Sequence, residues 1–153
     1  MATELPIPKP LEDFNLYGRD YIFGRLDMEF LQDREHEVIG QIVLSKYHFG
    51  WNDNIHEGTI FALADSCAGY GCVCSLPDGA TGFATIETKT NFLATINYGK
   101  IKAVAVPMHQ GSSTQVWDVK SSSVDSGKLL SCYLCAQMIL WPSSKTESVS
   151  RDM

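Results

Sequence analysis

The chain has 153 residues, of which 44% are hydrophobic and 20% charged, and this suits one globular domain with its own core. Eighteen acidic and twelve basic side chains give a formal charge of −6 without a basic patch, which argues against nucleic-acid partners and against anionic membrane surfaces. Apolar runs end after about five residues and no signal-peptide pattern opens the chain, so we expect a cytoplasmic protein that does not span a membrane.

The N-terminal third predicts short elements. Residues 1–10 contain three prolines, which is typical of an extended arm. Leu11 to Gly18 predicts a short helix that ends at the glycine. From Ile22 onward apolar and charged side chains alternate, which predicts a strand with one face in water, and Val38 to Leu44 predicts a second strand. The segment from His48 to Ile55 is rich in Asn, Asp, Gly and Trp and predicts a loop.

The strongest helical signal runs from Gly58 to about Cys74. Positions three, four, seven and eight apart are apolar or small, and the opposite side of the helix is also apolar. A helix that is apolar nearly all round is expected to be buried inside its protein. The turn residues Pro77-Asp78-Gly79 end this element.

Four strand-like stretches follow the helix: Phe83–Leu93, Lys100–Met108, Thr114–Ser121 and Leu129–Leu140. Three glycine-containing segments predict hairpin turns between them: Asn97-Tyr98-Gly99, Gln110-Gly111 and Ser126-Gly127. A long helix followed by an antiparallel meander predicts an α+β fold in which the sheet wraps around the helix. We expect an arm and short helix over 1–20, one domain over 21–141 and a polar tail over 142–153.

The five cysteines are predicted to be reduced thiols, because their number is odd and the chain shows no secretion signal. Cys132 and Cys135 have the spacing of zinc ligands, but residues three apart on a strand point to opposite faces. Cys72 and Cys74 diverge by about 200° on a helix. We therefore expect thiols in the core and no structural metal site.

Asp65 is the only charged side chain between Gly58 and Pro77. A lone carboxylate on an apolar helix is costly unless it is paired, hydrogen-bonded, protonated or exposed to water. Two interpretations follow. In one, Asp65 meets solvent or a backbone donor. In the other, it faces a cleft and serves as a base or a nucleophile.

The segment His56-Glu57-Gly58 is the predicted start of the helix, where free backbone N–H groups and the positive end of the helix dipole lie. Such groups suit an oxyanion that develops on a carbonyl, although a histidine there can equally be a cap or a packing residue. Nine residues separate His56 from Asp65, which is roughly 13 Å along a helix axis. The two therefore cannot reach one carbonyl within one chain.

Two antiparallel copies of the helix would bring the start of one beside Asp65 of the other. Close approach of neighbouring groups would then explain Gly69 and Gly71, since glycine is a poor helix former. The spacing along the helix thus favours a site made between two protomers.

The segment Ile55-His-Glu-Gly-Thr-Ile-Phe-Ala-Leu-Ala-Asp-Ser66 resembles the HGG-x(6)-[DE] signature of hotdog-fold acyl-CoA thioesterases of the phenylacetyl-CoA and aromatic-acyl type. Further stretches match that family in order and spacing: Asn91-Phe92-Leu93 with Gly99, then Pro107 to Val119, then Gly127-Lys-Leu and a closing strand. The likeness covers about residues 38–141. Glu57 stands at the first glycine of the signature, and Gly50 stands where the family has Asn or Gln.

This resemblance implies a hotdog fold, homodimers that often pair into tetramers, and two sites at each dimer interface. It implies that Asp65 is the catalytic carboxylate, that the backbone N–H of Glu57 from the opposite protomer is the oxyanion donor, and that His56 shapes that turn. It also implies a substrate path along seven positions: Gly58, Ser66, Thr85, Asn91, Gln110, Gly111 and Ser112.

The expected activity is hydrolysis of an acyl-CoA or acyl carrier protein thioester to the free acid and the thiol. No metal or redox cofactor is implied, and CoA enters only as part of the substrate. Two alternatives stay open. One is a non-catalytic hotdog protein that binds acyl groups, and the other is a hotdog dehydratase or hydratase that would use His48 with Asp65.

Overall fold

A computed structural model describes residues 11–34 and 36–143, so the predicted arm at 1–10 and residues 144–153 of the predicted tail lie outside the described residues. Helices and strands follow one another as α1 (Leu11–Tyr17), α2 (Ile22–Arg25), β1 (Met28–Arg34), β2 (Glu37–Val43), α3 (Glu57–Cys74), β3 (Gly82–Phe92), β4 (Lys100–Gln110), β5 (Thr114–Ser123) and β6 (Leu129–Leu140). Short 3-10 turns lie at Gly18–Asp20 and Lys46–His48. None of the helices in the described ranges has the length and hydropathy needed to cross a membrane.

The six strands form one antiparallel sheet in the order β1-β2-β4-β5-β6-β3, and it curves around α3. The predicted α+β architecture is thereby confirmed. Strands β4, β5 and β6 form the expected meander, joined at the two predicted turns around Gly111 and Gly127. Strand β3 is not part of this meander, because it pairs with β6 at the edge of the sheet.

The prediction of a hairpin at Asn97-Tyr98-Gly99 is wrong, because β3 and β4 are not neighbours in the sheet. The connecting segment instead crosses the end of the sheet. Leu93 N–H donates to the Leu130 carbonyl, and the Gly99 carbonyl accepts from Leu44 N–H. These long-range hydrogen bonds fix the position of the segment that connects β3, at the edge of the sheet, to β4 in its middle.

The prediction of a strand from Ile22 is wrong for the first residues of that segment. Arg25 N–H donates to the Tyr21 carbonyl and Leu26 N–H to the Ile22 carbonyl, both at 3.0 Å, so this segment is a helical turn. Asp27 then has φ of 55°, and β1 begins after it at Met28. In this segment the hydrogen bonds of one helical turn determine the local structure, and the alternation of apolar and charged side chains does not predict it.

The N-terminal helices pack on α3 through an aromatic cluster. Phe14 of α1 is fully buried and stacks on Tyr70 of α3, with ring centroids 3.9 Å apart and an interplanar angle of 6°. Phe23 of α2 lies 5.4 Å from Tyr70, and Phe30 of β1 meets it edge-on at 4.5 Å. These contacts hold α2 against the middle of the long helix.

The prediction that α3 is buried all round is wrong for one stripe of the helix. Its sheet-facing side is buried, but Ala62, Asp65, Ser66 and Gly69 are only half-buried, since the sheet covers a single side. A methyl group at Gly71 would lie 2.5 Å from the Trp117 ring. At Gly71 the group that approaches the helix closely is therefore Trp117 of the same chain, and not a second copy of α3.

All five cysteines are free thiols. Cys67 and Cys72 are fully buried against the sheet, and burial raises the pKa of each thiol, that of Cys72 to about 12. On β6, Cys135 faces the core whereas Cys132 lies on the other side of the strand and is half-buried. Since a raised pKa disfavours the reactive thiolate, Cys67 and Cys72 are packing residues.

Candidate active site

Asp65 lies midway along α3 on its half-buried stripe and is hydrogen-bonded by a side chain. The Tyr133 hydroxyl, which β6 supplies from the sheet, donates to Asp65 Oδ1 at 2.6 Å. Tyr133 is fully buried; burial raises its pKa far above the usual range, and the hydrogen bond to Asp65 raises it further. Tyr133 therefore remains a proton donor, and the carboxylate has a fixed partner.

A pocket of about 170 Å³ opens beside Asp65. It is lined by Phe23, Asp65, Ser66, Gly69, Tyr70, Val73, Phe83 and Thr85. Its walls are mostly apolar, and the carboxylate is the charged group among them. Such an arrangement can hold an uncharged acyl group while it presents a carboxylate to the carbon that reacts.

Two predicted substrate residues, Thr85 and Ser66, belong to this pocket. Thr85 lies on β3 at an irregularity of the strand pairing, where the register shifts between Thr85 and Glu87. The Ser66 hydroxyl donates to the Ala62 carbonyl one turn earlier at 2.6 Å. Because the hydroxyl proton of Ser66 forms this hydrogen bond within the helix, the Ser66 oxygen can only accept a hydrogen bond from a ligand.

The start of α3 is built as a cap, with His56 as the N-cap residue. His56 Nδ1 accepts a hydrogen bond from Gly58 N–H at 2.8 Å, which places the ring proton of the neutral imidazole on Nε2. A Cβ atom at Gly58 would lie 2.9 Å from that nitrogen, so the glycine leaves room for the ring. These contacts place the His56 ring against the first turn of the helix.

The backbone N–H of Glu57 has no hydrogen-bond partner within the described residues. It is the first N–H of α3 and lies at the positive end of the helix dipole. A pocket of about 290 Å³ borders it and is lined by Gly50, Trp51, Asn52, Asn54, Ile55, His56, Glu57 and Thr95. A free, oriented amide beside a pocket can stabilise an oxyanion.

His48 anchors the start of the helix and is fully buried. Its carbonyl accepts from His56 N–H at 2.9 Å and from the Thr59 hydroxyl at 3.0 Å. Its ring Nε2 donates to the Leu26 carbonyl at 2.8 Å, while Nδ1 accepts from Ser45 N–H at 2.9 Å. With both ring nitrogens occupied, His48 does not have the free nitrogen that the dehydratase alternative requires.

Within one protomer the predicted site residues lie in separate places. His56 and Glu57 lie at one end of α3, next to the segment around Ile96, while Asp65 lies at the middle of the helix. The turn that contains Gln110, Gly111 and Ser112 lies toward the other end, where Ser75 bonds to Gln115. Asn91 is exposed on the edge strand.

Comparison with known proteins assigns the chain to a family. The family model described as the thioesterase superfamily matches residues 52–129, which include all of α3 and of strands β3 to β5. The chain belongs to the thioesterase superfamily. Its sheet and central helix constitute the hotdog fold.

Individual thioesterase-superfamily relatives agree with this assignment. The 1,4-dihydroxy-2-naphthoyl-CoA hydrolase of Listeria monocytogenes is 34% identical over 100 residues, covering 64% of this chain and 77% of the relative. The 1,4-dihydroxy-2-naphthoyl-CoA hydrolase of Escherichia coli is 30% identical over 122 residues, covering 72% of this chain and 80% of the relative. Among solved structures, the thioesterase HI1161 of Haemophilus influenzae superposes with a TM-score of 0.82 at 18% identity, covering 95% of this chain and 99% of that chain.

Sequence reasoning misses the aromatic residues around the carboxylate of this superfamily member: Phe23, Tyr70, Phe83 and Tyr133. The alternating pattern places Phe23 in a strand, whereas its contact with Tyr70 of α3 depends on the helical turn of α2. Tyr133 did carry a signal, since its hydroxyl sits on the core-facing side of β6 and a buried tyrosine hydroxyl usually needs a partner. The lone carboxylate at Asp65 was the available acceptor.

Proposed function

We propose that the protein hydrolyses an acyl-CoA thioester at a site shared by two protomers. One protomer would supply the Asp65 carboxylate and the other the Glu57 backbone N–H. The observation that supports this most directly is the arrangement at Asp65: a hydrogen-bonded carboxylate on an otherwise apolar helix, at the rim of an apolar pocket, in a thioesterase-superfamily fold.

Two features support a shared site. Eight residues separate Glu57 from Asp65, which corresponds to about 12 Å of helix rise, too far for both to act on one carbonyl. Among the described strands, β3 has a neighbour on one side only, and exposed apolar side chains such as Ile86 and Phe92 lie along it. A second copy that pairs along β3 in antiparallel fashion would cover this edge and lay the two α3 helices side by side.

The proposed reaction begins with the acyl group in the Asp65 pocket and the thioester oxygen on the partner's Glu57 N–H. Asp65 then either takes a proton from a water whose oxygen adds to the carbonyl carbon, or attacks that carbon itself and forms an anhydride that water cleaves. In both courses the carbon–sulfur bond breaks, and the sulfur of CoA leaves as a thiolate that takes up a proton. The helix dipole at Glu57 stabilises the oxyanion.

The pocket also suggests a class of acyl group. Phe23, Tyr70 and Phe83 line it, and its volume is about 170 Å³. An apolar protein cavity of about 150 Å³ accommodates one benzene ring. We therefore propose an aromatic or short acyl group, in line with the naphthoyl-CoA named for the two hydrolase relatives. Acyl carrier protein is the alternative carrier.

Thiol release from a panel of thioesters tests this function. Benzoyl-CoA and phenylacetyl-CoA are expected to turn over faster than palmitoyl-CoA, with acetyl-CoA and an acyl carrier protein thioester as comparisons. Asp65→Asn should fold and assemble as the wild type does, while kcat falls about 100-fold or more, since it removes the catalytic acid–base group. Near-wild-type turnover by Asp65→Asn, or no turnover of any thioester by the wild type, contradicts the proposal.

A second candidate is a hotdog protein that binds acyl-CoA without hydrolysing it. It is favoured by Glu57, an exposed residue at the pocket of about 290 Å³, because its negative charge would oppose an oxyanion placed there. Binding of benzoyl-CoA in a titration calorimeter without thiol release by the wild type would favour this candidate.

A further inference from the structure

We infer that Tyr133 is the positioning residue for Asp65: its buried hydroxyl holds Oδ1, so that Oδ2 is the carboxylate oxygen that attacks the substrate or activates water. This inference rests on the proposed function, because it assigns a supporting group to the same carboxylate. Nothing in the sequence motif that identified Asp65 points to this strand or to this residue.

The hydrogen bond itself is the first support. The distance from Tyr133 Oη to Asp65 Oδ1 is 2.6 Å, within the 2.5–2.7 Å range typical of a hydroxyl that donates to a charged carboxylate. Among the described residues no hydrogen bond reaches Oδ2. One oxygen is therefore engaged toward the sheet, and the other remains for the pocket that Asp65 lines.

The second support is that Tyr133 is rigid and remote from the substrate. It is fully buried, and its backbone pairs with Thr90 of β3 on one side and Val119 of β5 on the other. The Phe61 ring packs against the Tyr133 ring edge-on, with centroids 5.5 Å apart. Tyr133 is not among the residues that line the Asp65 pocket, so it acts through the carboxylate and not on the acyl group.

The surroundings of Asp65 make this donor important. The titratable groups that face this region are Tyr133 and Cys135 from β6 and Tyr70 from α3 itself, and burial raises the pKa of all three. The adjacent strand and α2 contribute the uncharged Thr85 and Phe23. Among the described residues no cationic side chain lines the pocket, so the Tyr133 hydroxyl is the polar partner that holds the carboxylate in place.

The test is Tyr133→Phe, which removes the hydroxyl and keeps the ring. With benzoyl-CoA, or whichever of the named CoA thioesters is fastest, kcat should fall about tenfold or more, as expected when a hydrogen bond to a charged group is lost. KM should change less than twofold, because the pocket walls are intact.

Val119→Ala is the matched control, because it shortens a fully buried side chain that pairs with Tyr133 on the adjacent strand and leaves both the Tyr133 hydroxyl and Asp65 in place. Its kcat and KM should remain close to those of the wild type. In addition, Tyr133→Phe should cause no further loss in an Asp65→Asn background, because residues that act as a unit are not additive.

Two outcomes overturn the inference: wild-type kcat in Tyr133→Phe, or the same fractional loss with and without Asp65. These outcomes are distinct from failure of the proposed function. If Asp65→Asn is inactive but Tyr133→Phe behaves as the wild type, only the role of Tyr133 is refuted. If Asp65→Asn is fully active, the proposed site itself is refuted.

Discussion

Complementation between two inactive variants tests the shared site most directly. Asp65→Asn removes the carboxylate, and Glu57→Pro removes the proposed oxyanion donor because proline has no N–H. Since the two positions lie about 12 Å apart along one helix, each site of a dimer would take one of them from each protomer. In a dimer with one variant chain of each kind, one site then carries both defects and the other carries none.

The structure indicates that Glu57→Pro can fold. Glu57 is the first residue of α3, a position that proline favours, and its N–H forms no hydrogen bond with the described residues. His56 has φ of −75° and ψ of 136°, the extended conformation that a residue before proline adopts. Glu57→Pro alone should therefore retain its assembly while kcat falls about 100- to 1,000-fold, as for the loss of one oxyanion donor.

The assay uses two affinity tags, co-expression and sequential purification of the mixed dimer. Thiol release by that dimer should reach about half of the wild-type rate, because one of its two sites is intact. Glu57→Gly is the matched control, since it removes the side chain and keeps the N–H, and a dimer of two Glu57→Gly chains should stay active. Purified mixed dimers that remain as inactive as their parents would refute the shared site and require both groups to come from one chain.

Two further predictions concern stability. Gly71→Ala should lower the free energy of unfolding, measured in urea, by about 1–2 kcal/mol, because a methyl group 2.5 Å from the Trp117 ring outweighs the helix propensity of alanine. Gly69→Ala should be close to neutral, because the nearest ring atom there is 3.2 Å away. Equal effects of the two substitutions would contradict this reasoning. The free energy of unfolding should also fall as pH rises above about 9. Burial raises the pKa values of Cys72 and Tyr70 to about 12, so the unfolded chain loses these protons before the folded protein does. The expected slope is up to about 1.4 kcal/mol per pH unit for Cys72 and less for the partly exposed Tyr70. Urea titrations between pH 7 and 11 measure this slope, which Cys72→Ala should reduce, and a flat profile would contradict it.

Much of the site could be predicted because its signals are local. The lone charge at Asp65 and the position of His56 at the start of an apolar helix are both readable within a dozen residues, and the structure places them as a pocket-lining carboxylate and an N-cap. Tyr133 could not be connected to Asp65 in this way, because 68 residues separate them and only the pairing of β6 in the sheet brings them together.

The sequence by itself determined the elements of this protein: the 18-residue helix, the strands that follow it and the α+β class, because hydrophobic periodicity and turn residues act over a few positions. Only the tertiary structure decided how these elements are arranged. The placement of β3 beside β6, the crossing of the segment at Asn97 over the end of the sheet, and the half-open stripe of α3 all depend on which strands pair. Strand pairing is settled by contacts between residues far apart in the chain, and local patterns do not encode those contacts.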